Sequence, residues 1–115
     1  MSVNTTKFTE VDVTPGSATS TAAAATVNDQ IGRVTTEALT TAAGSTYTFT
    51  LTNDLIQASS MVFVSVGKGT ATAGEPVVQF VTPAAGSAVI LIRNVSAAAA
   101  LNGTININFA VFNLA

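Results

Sequence analysis

The 115-residue sequence contains no cysteine, no histidine and no tryptophan. Without cysteine there is no disulfide, no thiol nucleophile and no Cys-based metal site, and the redox compartment leaves no mark. Without histidine the commonest general acid–base group and zinc ligand is missing. A single tyrosine, Tyr47, and no tryptophan disfavour carbohydrate binding by ring stacking. Charge is scarce as well: charged residues make up 9% of the chain, against roughly a quarter in an ordinary globular protein. The four basic residues, Lys7, Arg33, Lys68 and Arg93, are scattered, and the net charge is −2. Phosphate binding needs a basic patch, and an anionic membrane surface needs a polybasic segment, so neither partner is expected. No apolar run approaches the roughly 18 residues of a membrane helix. The first residues, Met1 to Phe8, lack the apolar core of the usual signal peptide.

What is present is a chain of one-domain length, able to bury a modest core. Hydrophobic residues make up 48%, much of it alanine, and the mean hydropathy is +0.51. Soluble monomers usually keep a charged surface. Either this surface is weakly polar, rich in Ala and Thr, or neighbouring subunits cover much of it.

The stretch Ser87–Val95 is apolar on both faces of a strand, with Ala88, Ile90 and Ile92 on one side and Val89 and Leu91 on the other. A strand greasy on both sides reads as central, covered from both directions. Met61–Val66 reads the same way. Thr46–Thr52 alternates, with Tyr47, Phe49 and Leu51 inward and threonines outward. Thr104–Phe112 alternates too, with Ile105, Ile107, Phe109 and Val111 inward, until Phe112 breaks the pattern. Further β-prone segments are Gln30–Glu37 and Val77–Thr82. In the latter, period-two alternation puts Val77 and Val81 on one face and Val78 and Phe80 on the other. Leu55–Ser60 reads as a connection with room for one helical turn, and Asn102-Gly103 as a tight turn. Short strands bounded by turn signals, with no long helix, predict an all-β chain: an antiparallel β-sandwich or jelly-roll-like domain over residues 30–115.

Residues 1–29 read as an extended N-terminal arm and linker. Lys7–Thr14 suggests one short strand, closed by Pro15-Gly16, and Ser17–Thr26 is nearly all Ala, Thr and Ser. Ordering such a segment costs about 1–1.5 kcal/mol per residue. Burial of its few larger apolar groups returns only about 2 kcal/mol each. An ordered arm therefore needs backbone pairing with a sheet edge, its own or a neighbour's. Phe8, Val11 and Val13 are the candidate partner-binding residues.

Chemistry is poorly represented. The six acids, Glu10, Asp12, Asp29, Glu37, Asp54 and Glu75, are spread along the chain and read as solvated charges. Gly67-Lys68-Gly69-Thr70 lacks the spacing and the following helix of a phosphate loop. No Asp-rich run resembles a calcium loop. Three glycosylation sequons, at Asn4, Asn94 and Asn102, are expected by chance in so Thr-rich a chain. No catalytic residue, metal site or cofactor is expected.

Several segments, taken in order, carry a resemblance. They are Gly32-Arg33-Val34-Thr35-Thr36, Tyr47-Thr48-Phe49-Thr50-Leu51-Thr52-Asn53, the strand Val62–Val66, and Ala73-Gly74 with Pro76-Val77-Val78. Ala88–Val95 and Leu101-Asn102-Gly103 leading into Ile105–Phe112 complete the set. From Ile31 to Phe112 the chain resembles a small β domain of tailed-bacteriophage virion proteins. That family comprises head decoration or cement proteins, head fibres and tail-fibre proteins. The resemblance implies a structural role in the virion and a homotrimer, and transfers no catalytic residue. A lone domain with a short arm suits a decoration protein on the capsid surface, bound to the major capsid protein. A head-fibre, tail-fibre or other receptor-binding component is the alternative within the family. A binding module or enzyme outside it would need a pocket lined by convergent polar groups.

Overall fold

The computed structural model describes residues 15–113, which form eight strands and no helix. They are β1 (Gly16–Thr19), β2 (Ala24–Thr26), β3 (Ile31–Thr35), β4 (Thr46–Thr52), β5 (Met61–Lys68), β6 (Pro76–Ala84), β7 (Ser87–Asn94) and β8 (Ile105–Phe112). Two four-stranded sheets face each other, ordered β1-β3-β8-β5 and β2-β4-β7-β6. The all-β sandwich read from the alternation is the fold observed.

Each sheet sends one face inward. Val34, Ile105, Ile107, Phe109 and Val111 of the first sheet meet Phe49, Leu51, Ala88, Ile90 and Ile92 of the second. Val27, Leu39, Ile56, Ala71 and Leu101, from the connections, complete the core. Fully burying a Leu, Ile or Phe contributes about 1.5–3 kcal/mol. β4 follows its alternation residue by residue, with Phe49 and Leu51 buried and Thr46, Thr48 and Thr52 exposed. β7 is the interior strand expected, laddered to β4 on one side and β6 on the other. Only one of its faces is covered, however: Ala88, Ile90 and Ile92 are fully buried, while Val89 and Leu91 lie half-buried on the outside.

Four readings are corrected. The boundary drawn at residue 30 falls inside the sandwich, because β1 and β2, read as linker, are edge strands of the two sheets. β1 pairs in parallel with β3, and β2 in parallel with β4, so each sheet is mixed and only the remaining ladders are antiparallel. Short edge strands need little apolar weight of their own; here Ala18 and Ala25 pack against the core, and backbone bonds supply the rest.

Secondly, β5 is an edge strand and not a central one. Val62, Val64 and Val66 pack against the core, but Met61 and Phe63 face outward and remain exposed. Thirdly, a β-bulge between Val78 and Phe80 resets the parity of β6. Val78 and Val81 then pair with the buried Ile92 and Ile90, while Val77 and Phe80 pair with the outward Arg93 and Leu91. A bulge adds one residue and re-aims every side chain beyond it. Fourthly, Asn102-Gly103 is no tight turn. Gly103 is buried and bridges Leu39. It is glycine because a Cβ there would meet Thr70 Oγ1 at 2.6 Å and Ala71 N at 2.8 Å. The tight hairpin between β6 and β7 lies at Ala85-Gly86, within the Pro83-Ala84-Ala85-Gly86 stretch that reads as a turn in the sequence, and Gly86 has φ 82° there. Leu55–Ser60 contains turns and no helix.

Candidate functional site

The candidate arm residues Phe8, Val11 and Val13 lie outside the described residues. Within them, the surface features that stand out are the outer faces of the two sheets and one carboxylate cluster.

On the first sheet, β5 and β8 place Met61 opposite Phe112 and Phe63 opposite Ala110. The Phe63 and Phe112 rings meet edge to face, 5.6 Å between centroids, a geometry favoured by ring quadrupoles. Phe63 is 59% exposed, Met61 46% and Phe112 44%. Beside this apolar end runs a polar line across three strands. Arg33 Nε donates to Asn108 Oδ1 at 2.7 Å, and Asn108 Nδ2 donates to Ser65 Oγ at 3.3 Å. Two open depressions border this line. One, of about 310 Å³, has Phe63, Ser65 and Ala110 in its lining; the other, of about 460 Å³, has Pro15, Ile31 and Arg33. The one ionisable side chain lining either of them is Arg33, which stays protonated and serves as no general base.

On the second sheet the outward positions of β4 are Thr46, Thr48, Thr50 and Thr52. Val89, Leu91 and Arg93 of β7 lie beside them, then Val77, Phe80 and Thr82 of β6. Phe80 is 51% exposed and Val77 41%. The bulge creates this second apolar spot, since unbroken alternation would put Val77 and Phe80 on opposite faces.

The cluster is centred on Glu37, just past β3. Ser20 Oγ donates to Oε1, the Tyr47 hydroxyl donates to Oε1 at 3.0 Å, and the Ala23 amide donates to Oε2 at 2.9 Å. The Glu37 amide in turn donates to Ser20 Oγ at 3.1 Å. These bonds gather the end of β1, the start of β2 and the face of β4 around one carboxylate. Burial works to raise the Glu37 pKa, but the bonds from Ser20, its own backbone, Ala23 and Tyr47 outweigh it, and the value falls below 4.5. Burial raises the Tyr47 phenol to about 12; the neighbouring Ser20 hydroxyl opposes the rise, and the charge and hydrogen bond of Glu37 reinforce it. A carboxylate whose lone pairs are already engaged, beside a serine that is 2% exposed, holds structure together and offers no free base. Glu37, read as a solvated charge, is instead tied into a hydrogen-bonded cluster.

Uncharged polar residues do the remaining joining. Asn94, fully buried, accepts from the Glu75 and Ser96 amides at 2.9 and 3.1 Å and donates to Thr41 O and Ala99 O at 3.0 and 2.9 Å. All four of its hydrogen-bonding sites are used, which leaves no free amide for a glycan in the folded chain. Asn53 and Asn102 fasten other loops in the same way. Among the described residues no group of three or more Asp and Glu could hold a metal ion, and no helix is long and apolar enough to cross a membrane.

Sequence reading missed the two apolar spots as surface features. The one available signal was Phe112, an aromatic on an outward parity. Phe63 was hidden by the valines around it, and Phe80 by the bulge. Comparison of the chain with family models, curated proteins and solved structures finds no match.

Proposed function

We propose that the protein is a structural component of a bacteriophage virion: a homotrimeric decoration protein on the outer surface of the capsid, bound to the major capsid protein and stabilising the head. The observation that carries this reading is the exposure of Phe63, Met61 and Phe112 on a sheet face where, among the described residues, Arg33 is the one charged side chain at an outward strand position. Exposed apolar clusters of this kind mark protein–protein contact. The Ile31–Phe112 resemblance supports the same role, and the Asn- and Thr-based stapling suits a rigid module that acts by fitting against others. The reading assigns no catalytic residue, cofactor, nucleic acid or membrane.

The test is reconstitution on capsid shells assembled without the protein. The expected result is saturable co-sedimentation, regular density on the shell in an image reconstruction, and shells that resist heat better when coated. Shells that leave the protein in the supernatant would defeat the proposal. Density confined to a fibre or the tail would move it to the receptor-binding role.

A further inference from the structure

We infer that Asn102 is the chain's site of spontaneous deamidation, locked in the folded protein and released when the packing around it opens. Asn102 is the one asparagine in the sequence followed by glycine. Asparagine is chemically labile, and a glycine next in line puts no side chain in the way of the attack that starts the reaction. In that attack the Gly103 amide nitrogen gives up its proton to hydroxide and bonds to Asn102 Cγ. The Cγ–Nδ2 bond breaks, ammonia leaves, and a cyclic imide remains. Water then adds to one of the two imide carbonyls and cleaves its bond to nitrogen. Addition at Cγ gives aspartate. Addition at the main-chain carbonyl gives isoaspartate, in which the backbone runs through the former side chain.

The fold opposes the first step. Asn102 is exposed, but its Oδ1 accepts from the Thr72 amide at 2.7 Å and the Ala73 amide at 2.9 Å, and its Nδ2 donates to Thr72 Oγ1 at 2.8 Å. Two amides on one carbonyl oxygen would steady the charge that forms there during attack, so the nucleophile decides the outcome. Gly103 is buried, and its carbonyl accepts from the Leu39 amide at 2.8 Å. Leu101, on the other side, is buried too, and its amide donates to Thr41 O at 2.9 Å. The backbone on both sides of Asn102 is thus pinned to residues 39–41, and hydroxide reaches the Gly103 amide only when that pinning opens. The same packing rejects one product. Isoaspartate lengthens the main chain by one atom between Leu101 and Gly103, both anchored. Gly103 has little room to shift, since even a Cβ there would lie 2.6 Å from Thr70 Oγ1 and 2.8 Å from Ala71 N. Aspartate fits, because two amide donors favour a charged acceptor. Isoaspartate is therefore a one-way mark on chains that have opened.

The test incubates the full chain in mildly alkaline buffer, folded and in urea, and follows each asparagine by peptide mapping with mass spectrometry. In urea Asn102 is expected to deamidate first, seen as a gain of one mass unit in its peptide. In the folded chain the same site is expected to react more slowly by about tenfold or more, since only the opened fraction reacts. Isoaspartyl chains, separated from aspartyl ones by chromatography after the urea is removed, are expected to melt earlier than the parent. Asn102→Asp, which reproduces the aspartyl product, is expected to melt with the parent. Equal rates with and without urea would overturn the lock, and another asparagine leading in urea would overturn the site. Isoaspartyl chains that melt with the parent would show that the packing rejects nothing. An Asn102→Asp chain that melts as early as they do would show that the loss comes from the new charge and not from the longer backbone.

Discussion

The Tyr47 hydroxyl donates to Glu37 Oε1 across 3.0 Å, and this bond joins the second sheet to the place where the chain changes sheets. β1 belongs to the first sheet and β2 to the second. Between them the Thr21 and Ala24 backbones bond reciprocally, at 3.0 and 3.1 Å, around a two-residue turn. Glu37 holds both ends of that turn through Ser20 and Ala23.

Removal of the carboxylate is therefore expected to loosen two strands at once. Glu37→Ala leaves the buried Ser20 hydroxyl without its acceptor and the Ala23 amide without a partner. An unsatisfied buried polar group costs about 1–3 kcal/mol. Urea denaturation should show a loss of about 2–3 kcal/mol for Glu37→Ala, and a smaller one for Glu37→Gln, which keeps one acceptor. A variant as stable as the parent would show that the cluster holds nothing.

The same cluster sets two pH limits. Glu37 is harder to protonate in the folded chain than at its ordinary 4.5, so its contribution is complete above that pH. It is lost as the pH falls from 4.5 through the lower folded value. Tyr47 is harder to ionise when folded, at about 12 against 10.0, so its contribution is complete below pH 10 and is lost as the pH rises from 10 to about 12. Thermal melts across pH should show both limbs, with Glu37→Gln flattening the acid one and Tyr47→Phe the alkaline one.

The turn itself carries strain. Ala22 and Ala23 have φ of 51° and 62°, the left-handed region that both central residues of a type I′ turn occupy. An L-residue with a Cβ pays about 1–2 kcal/mol there, and glycine does not. Ala23→Gly is expected to raise stability by up to about 1 kcal/mol, read from the shift in denaturation midpoint. Destabilisation would show that the alanine methyl contributes more than its backbone costs.

Asn94 makes a sharper case. In Asn94→Asp two donors are lost, and a charged oxygen is brought against the carbonyls of Thr41 and Ala99. The substitution is isosteric, so its cost is electrical rather than steric. A loss of about 3 kcal/mol or more is expected at neutral pH, easing as the pH is lowered and the new carboxyl takes a proton. A pH-independent loss would point to packing.

The alternation in β4 and β8 was legible because one covered face forces a period of two. The buried rows of both strands lie where the sequence puts them. The apolar spots were not legible for the same reason. A strand with valines inward and Phe63 outward looks, in sequence, like a strand covered on both sides; only its place at the sheet edge separates the two cases. Phe80 was concealed by one inserted residue, and a bulge follows from the partner strand's ladder and not from local composition.

The sequence by itself determined the class of fold, the interior strand β7 and the absence of His and Cys chemistry, since periodicity and composition are properties of the chain alone. Tertiary structure decided the rest. It made strands of the Ala/Ser/Thr segment, because a short strand is stable only when an existing edge supplies its hydrogen bonds. It gathered Ser20, Ala23, Glu37 and Tyr47 around one carboxylate. It also left Phe63 and Phe80 facing water, because exposure depends on what packs alongside a residue and not on the residue's neighbours in sequence.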